Sequence, residues 1–330
     1  GPGRLAFVKF KLFHISQDFP PAAWAAQGML GDAGALLRFL LTSLAAAGIT
    51  VYGVGRVYRR LSLLPTAAGA AGKKAKGGRA YQALTPFQAC CKREMRQLLR
   101  VSPYAMNSLP TALMPAVMVV VFAMAFNRAV NAEGGAQRMD LVLSELTPAV
   151  AVALLAALMC FMAGINPAVA TAVSREGKGH DMLTALPVSA RTLVQAKLMV
   201  GLRLALVGLL PAAALLIVFA PGFALEIVLA LALSGLYCFI CAAISLARDV
   251  RSPKLNWVTE TEAIKQNTGS MVSIFAAWGI LLALGALSVL LLKIGAGLAL
   301  YCLALGALLG AGAWLSWRYL MRCADRCYCQ

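Results

Sequence analysis

The sequence predicts an all-α polytopic membrane protein: a six-helix transmembrane bundle with an amphipathic surface helix before it and one extra transmembrane helix upstream. Three observations carry this. Hydrophobic residues make up 61% of the 330 and charged residues only 13%, more apolar surface than a water-soluble globule of this length can hide. Seven runs are long and apolar enough to cross a bilayer: 35–55, 108–126, 146–166, 198–220, 223–246, 271–292 and 295–317, a crossing taking about 20 helical residues. They do not alternate polar and apolar, which excludes a transmembrane β-barrel, and lipid offers the backbone no partner outside its own helix. Lys and Arg are also one-sided. With 56–107 placed in the cytoplasm, the inner segments hold 22 of the 30 and the outer segments 6, the positive-inside asymmetry of a multi-pass protein. The first span then runs inward, and the C-terminus lies in the cytoplasm.

The net charge of +17 therefore reads as loops held against anionic lipid, not as a nucleic-acid surface. Cys160, Cys238, Cys241 and Cys302 lie inside apolar runs, where cysteine behaves as a small hydrophobe, and His14 and His180 are the only histidines. No disulfide framework, metal site or cofactor is expected in this chain. Gly69-Ala-Ala-Gly72-Lys73-Lys74 comes nearest to a phosphate loop, but Ala67 and Lys74 stand where Gly and Ser/Thr are required. No Ser/His/Asp set is spaced to act together, so no catalytic residue is assigned. No charged start followed by a short apolar core marks a signal peptide.

Residues 1–60 carry the lone first span and read as the tail of a preceding membrane unit. Residues 61–83, rich in Gly, Ala and Lys, read as a flexible basic cytoplasmic linker. Residues 84–330 hold the other six spans. In 84–101, Leu84, Phe87, Cys91, Met95, Leu98 and Leu99 recur at helical spacing among Lys92, Arg93, Arg96 and Arg100, a basic amphipathic helix suited to the inner headgroup layer. An anchor and a lever on the next span both fit it, and Cys90-Cys91 reads either as an acylation pair or as spectators.

Two inner loops carry most of the remaining polar sequence. In 166–197, Ser174 suits a helix cap and Glu176 its first turn; Gly177 and Gly179 interrupt it, Met182, Leu183 and Leu186 offer an apolar face, and Pro187 stops it. Such a helix fits a partner's groove, and it fits equally a connector packed on its own bundle. In 248–270, Thr259 and Glu262 have capping-box spacing, Arg248, Arg251 and Lys254 sit at the membrane edge, and Trp257 reads as an interface residue. No chain of acidic residues for ion coupling stands out within the spans. Gly306-x-x-x-Gly310 permits close helix packing.

A polytopic protein with docking loops and no energy source of its own resembles the permease subunit of an ABC transporter, of the six-helix type-2 exporter class. Residues 92–110, with Arg100-Val-Ser-Pro103-Tyr104-Ala-Met-Asn107, resemble that family's elbow helix; 174–197 and 251–267 resemble loops of bacterial double-length permeases, whose two halves are fused through a basic linker. The resemblance implies an elbow helix bearing Lys92, Arg93, Arg96 and Arg100. It implies a coupling helix around Ser174, Arg175, Glu176, Lys178, Met182, Leu183 and Leu186 that seats in an ATPase, and a second contact at Lys254, Trp257, Glu260 and Glu262. It implies a cytoplasmic ABC ATPase in two copies that binds ATP and Mg, and a second six-helix half, fused upstream or another copy of the chain. It also implies residence in the bacterial cytoplasmic membrane. Asn256 departs from the pattern, which has Asp there. The competing expectation is a scaffold or secondary transporter with no ATPase. Cysteines introduced singly at Lys178 and Lys254 are expected to react with a membrane-impermeant thiol reagent only after the cytoplasmic side is opened; labelling in intact cells would overturn the topology.

Overall fold

The computed structural model describes residues 20–62, 84–131, 146–265 and 267–328. The chain divides into two compact units, Gly1–Tyr81 and Gln82–Gln330. In the first, α1 (Pro20–Met29) and α2 (Ala33–Ser62) are joined by a tight turn through Gly31, whose φ of 101° favours glycine. Asp32 caps α2 by accepting the Gly34 and Ala35 N–H groups at 2.9 and 3.1 Å. Leu61 and Ser62 close α2, and the rest of the expected linker lies outside the described residues.

The second unit opens with α3 (Pro86–Arg100) and α4 (Ser102–Asn131). Helix α3 starts at a capping box in which Thr85 and Gln88 each accept the other's backbone N–H at 3.3 Å, with Pro86 in the first turn. Its buried stripe is Cys91, Glu94 and Leu98; Leu84 and Leu99, expected on the apolar face, are exposed. Helix α5 (Pro148–Ala163) is followed by the short α6 (Pro167–Ala170), a 3-10 segment Ser174–Gly179 and the short α7 (His180–Thr184). The chain then re-enters the apolar layer as α8 (Ala190–Phe219), turns at Pro221–Phe223, and returns as α9 (Ala224–Arg251). It closes with α10 (Glu260–Lys265), α11 (Thr268–Lys293) and α12 (Leu298–Cys327). The described residues contain no strand.

Six helices among the described residues are long and apolar enough to span a membrane, and α5 is a shorter seventh. The expected span 146–166 is realised as this shorter α5. Helix α5 has 16 residues, about 24 Å at 1.5 Å each and short of a hydrocarbon core of about 30 Å. It ends where Gly164 lies against the Tyr237 ring, which a Cβ there would meet at 2.7 Å, and where Asn166 is held extended by Pro167. The Asn166 amide donates to the Gly201 carbonyl at 2.9 Å, turning the chain back into the bundle.

Helix α9 is the hub. It packs against α5, α8, α11 and α12, and more than half of its apolar stretch is buried, well above the share in any other span. Small side chains let its neighbours approach: Ala230, Ser234, Cys238, Cys241, Ala242 and Ala243 are all buried. Cys238 and Cys241 stand in Cys-x-x-Cys spacing as free thiols within this apolar core. Helix α8 makes the closest crossings. A Cβ on Gly201 would lie 1.8 Å from Val169, and one on Gly208 would lie 1.8 Å from the Ala112 carbonyl oxygen. Gly306 and Gly310, expected to pack closely, meet nothing within 4 Å. Gly208→Ala is therefore expected to lower stability by about 1–3 kcal/mol, because backbone must move to admit the methyl, whereas Gly306→Ala should be neutral or stabilising; thermal unfolding in one detergent, followed by circular dichroism, compares them.

Candidate functional site

The residues that converge come from the segments that the Lys/Arg count places on one side: 84–107, 167–197, 247–270 and 318–328. Six Asp, Glu, His, Lys or Arg side chains are buried among the described residues: Glu94, Arg175, Glu176, His180, Lys197 and Asp249. All six lie at this one end of the bundle, in two linked groups.

The first group surrounds Lys197. Ser189 caps α8 by accepting the Thr192 N–H at 3.2 Å, and two turns later Lys197 points inward. Its ammonium donates to Glu176 Oε1 at 2.6 Å, Glu94 Oε1 at 2.8 Å and the Ala172 carbonyl at 3.0 Å. Three N–H donors meet three acceptors, which is what a buried ammonium requires. Tyr328, just past α12, donates its hydroxyl to Glu176 Oε1 at 2.9 Å. His180 Nδ1 lies 2.6 Å from Glu176 Oε2, and its Nε2 lies 3.1 Å from the Tyr328 carbonyl. Burial alone would push the Glu176 carboxyl up; the Lys197 ammonium, then the bonds from His180, Lys197 and Tyr328, outweigh it and hold the group below the usual carboxylate range.

The second group fixes the 173–176 backbone. Asp249 accepts the Val173 N–H at 2.6 Å, the Ser174 N–H at 3.1 Å and the Ser174 hydroxyl. The hydroxyl has one hydrogen to give, because its oxygen already accepts from the Lys254 N–H at 2.9 Å and the Asn267 amide at 3.0 Å; Asp249 is therefore an acceptor there. The Trp257 indole donates to the Ser174 carbonyl at 2.8 Å. Its ring covers Gly177, where a Cβ would sit 2.6 Å from it and φ is 50°, so glycine is required on both counts. The Arg175 carbonyl accepts from Gln97 at 3.2 Å and Tyr104 at 3.5 Å. The Arg175 guanidinium lies 5.5 Å from the Tyr104 ring centre and 3.9 Å from Glu94, with its Nε and Nη1 buried and unpaired among the described residues. Burial lowers its pKa, against the raising influence of Glu94, Asp249, Tyr104 and Glu176.

The expected coupling residues divide. Ser174, Arg175, Glu176 and Leu183 are buried and bind their own bundle, so they are not free to form a docking face; Lys178, Met182 and Leu186 are exposed. Trp257 serves Ser174 and Gly177 rather than a membrane interface, and Lys254 is half-buried. Glu260 is exposed, while Glu262 reaches the Val258 N–H at 3.1 Å instead of closing a box on Thr259. Lys92, Arg93, Arg96 and Arg100 all lie on the exposed side of α3. Sequence reading passed over Glu94, Lys197, Asp249, Asn267 and Tyr328. The available signal was Glu94 on the same helical stripe as Cys91 and Leu98. Among the described residues no group of His, Cys, Asp and Glu is placed to hold a metal ion.

Lys197→Met strands two carboxylates, and removing one partner of a buried ion pair costs roughly 3–5 kcal/mol. Thermal unfolding should fall accordingly, and the double change Lys197→Met with Glu94→Gln should recover part of the loss. The lowered Glu176 pKa contributes stability that is present above the unfolded value of about pH 4.3 and lost as pH falls through the lower folded value. Acid titration of unfolding should show that loss in the wild type and not in Glu176→Gln.

Neither a curated protein nor a solved structure matches the chain. A family described as "Membrane protein of 12 TMs" (12TM_1) matches residues 28–312. With its apolar helices and their common polar end, the chain belongs to this family of twelve-span membrane proteins.

Proposed function

We propose that the chain is the membrane-spanning permease part of an ATP-driven ABC exporter, coupled to a separate cytoplasmic ATPase. One observation carries this reading: apolar side chains are exposed in the two polar-end loops, next in sequence to a segment tied into the bundle. Met182 is 78% exposed, Leu186 44% and Val258 92%. A few residues before Met182, the 174–176 segment is bonded to α3, α8, α9 and the start of α11. Exposed apolar groups beside so tied a segment suit insertion into a partner's groove, and force on them would pass to several spans together. Two six-helix halves, one of them 84–330, fit the family's twelve spans. In this reading the polar end and the C-terminus face the cytoplasm of a bacterial cell, ATP and Mg bind two copies of the partner ATPase, and catalysis resides there. A second reading, a scaffold or secondary transporter without an ATPase, draws on the buried carboxylates Glu94, Glu176 and Asp249, groups that proton-coupled carriers use; here all three are already bonded within the chain.

Purification of the full chain from its native membrane should retain a soluble protein with ABC ATPase sequence. Met182→Asp and Leu186→Asp should abolish that association at unchanged thermal stability, because both side chains are exposed. Leu183, 4% exposed, is unsuitable, since a charge there tests folding. Absence of any ABC ATPase from the wild-type preparation would overturn the proposal.

A further inference from the structure

His180 has two ring nitrogens and two partners, and both partners are acceptors. The Glu176 carboxylate faces Nδ1 at 2.6 Å, and the Tyr328 carbonyl faces Nε2 at 3.1 Å. A backbone carbonyl has no proton to give. Lys197 and the Tyr328 hydroxyl both donate to Oε1, and together with the Lys197 charge they hold the carboxyl below the usual range, so Oε2, which faces the ring, is a deprotonated acceptor as well. Only a ring carrying a proton on each nitrogen satisfies both.

We infer that His180 is a proton-operated latch: doubly protonated, it fastens the end of α12 to the 174–184 segment, and loss of one proton lets that end go. This regulation is separate from the proposed transport role and stands whether or not an ATPase binds. Tyr328 is held by three contacts, its hydroxyl on Glu176, its carbonyl on His180, and its ring edge-on to the imidazole at 5.2 Å between centres. Deprotonation converts imidazolium to imidazole, the proton leaving to water past the side chain's exposed edge. A nitrogen lone pair then faces an acceptor, and one bond is replaced by repulsion. Other groups surround the site. Lys197 on α8 lies behind Glu176; Glu94 and Arg93 stand on α3, Arg175 on the 3-10 segment and Asp249 on α9. Glu260 and Glu262 come from α10, and Lys178 and Asp181 flank His180 on the surface. Of all these, histidine is the side chain whose charge ordinarily changes between about pH 5 and pH 8.

The test uses the full chain in lipid nanodiscs with ¹⁵N-labelled histidine. The protein has two histidines, so His14→Gln leaves one imidazole to observe. Spectra are taken at about pH 5.5 and at about pH 9, and any loss of protection must coincide with the appearance of a bare His180 ring nitrogen. Amide exchange protection of 174–184 and 320–328, corrected for intrinsic rates, should drop roughly tenfold across that range. His180→Gln should show the low protection at both pH values. A bare ring nitrogen at pH 5.5, or equal wild-type protection at both ends, overturns the latch. So does a His180→Gln chain that keeps the wild-type pH response; if that variant does not fold, the wild-type measurements decide alone.

Discussion

The Lys197 ammonium sits 2.6 Å from Glu176, 2.8 Å from Glu94 and 3.0 Å from the Ala172 carbonyl, shut away from water. Burying an ion costs several kcal/mol even in a relaxed protein interior, and only complete pairing offsets it. That requirement shapes the polar end of the bundle. It draws Glu94 inward on a helix whose other charges face out. It turns Glu176 inward from a surface loop and brings Ala172 to the side of α8. The pairing also joins three segments, since Glu94, Ala172 and Glu176 reach Lys197 from α3, the turn after α6 and the 3-10 segment.

Space for this arrangement comes from a span that stops early. Because α5 ends at Gly164, packed on Tyr237, the chain re-enters the interior as α6 and the 3-10 segment while still among the helices. These buried backbone groups need partners other than a helix ladder. Asp249, at the end of α9, supplies two of them through the Val173 and Ser174 N–H groups, and Trp257 and Gln97 cover carbonyls of the same stretch. The small residues of α9 make room for this, since a hub built of leucines would hold its neighbours farther apart.

One short segment therefore faces two ways. Ser174, Arg175 and Glu176 are committed to the interior, while Lys178, Met182 and Leu186 face outward a few residues later. The switch occurs at Gly177, whose positive φ and contact with Trp257 exclude any side chain. A contact on the outer face is thereby joined to a buried base that holds α3, α8, α9 and the end of α12. His180 stands at the junction, with its ring inside and its neighbours Lys178 and Asp181 outside.

The order of the long apolar helices, the amphipathic α3 and the grouping of the basic loops were legible in the sequence. Each depends on local hydropathy or local charge, and a bilayer converts those directly into helix and sidedness. Only the tertiary structure decided that Glu94 would meet Lys197 across 103 residues, that Asp249 would hold Ser174, and that the third span would end at Gly164. Those outcomes turn on which faces of different helices share one closed space. A charge that reads as solvated in one dimension becomes a buried partner once a neighbour 100 or so residues away supplies the opposite sign.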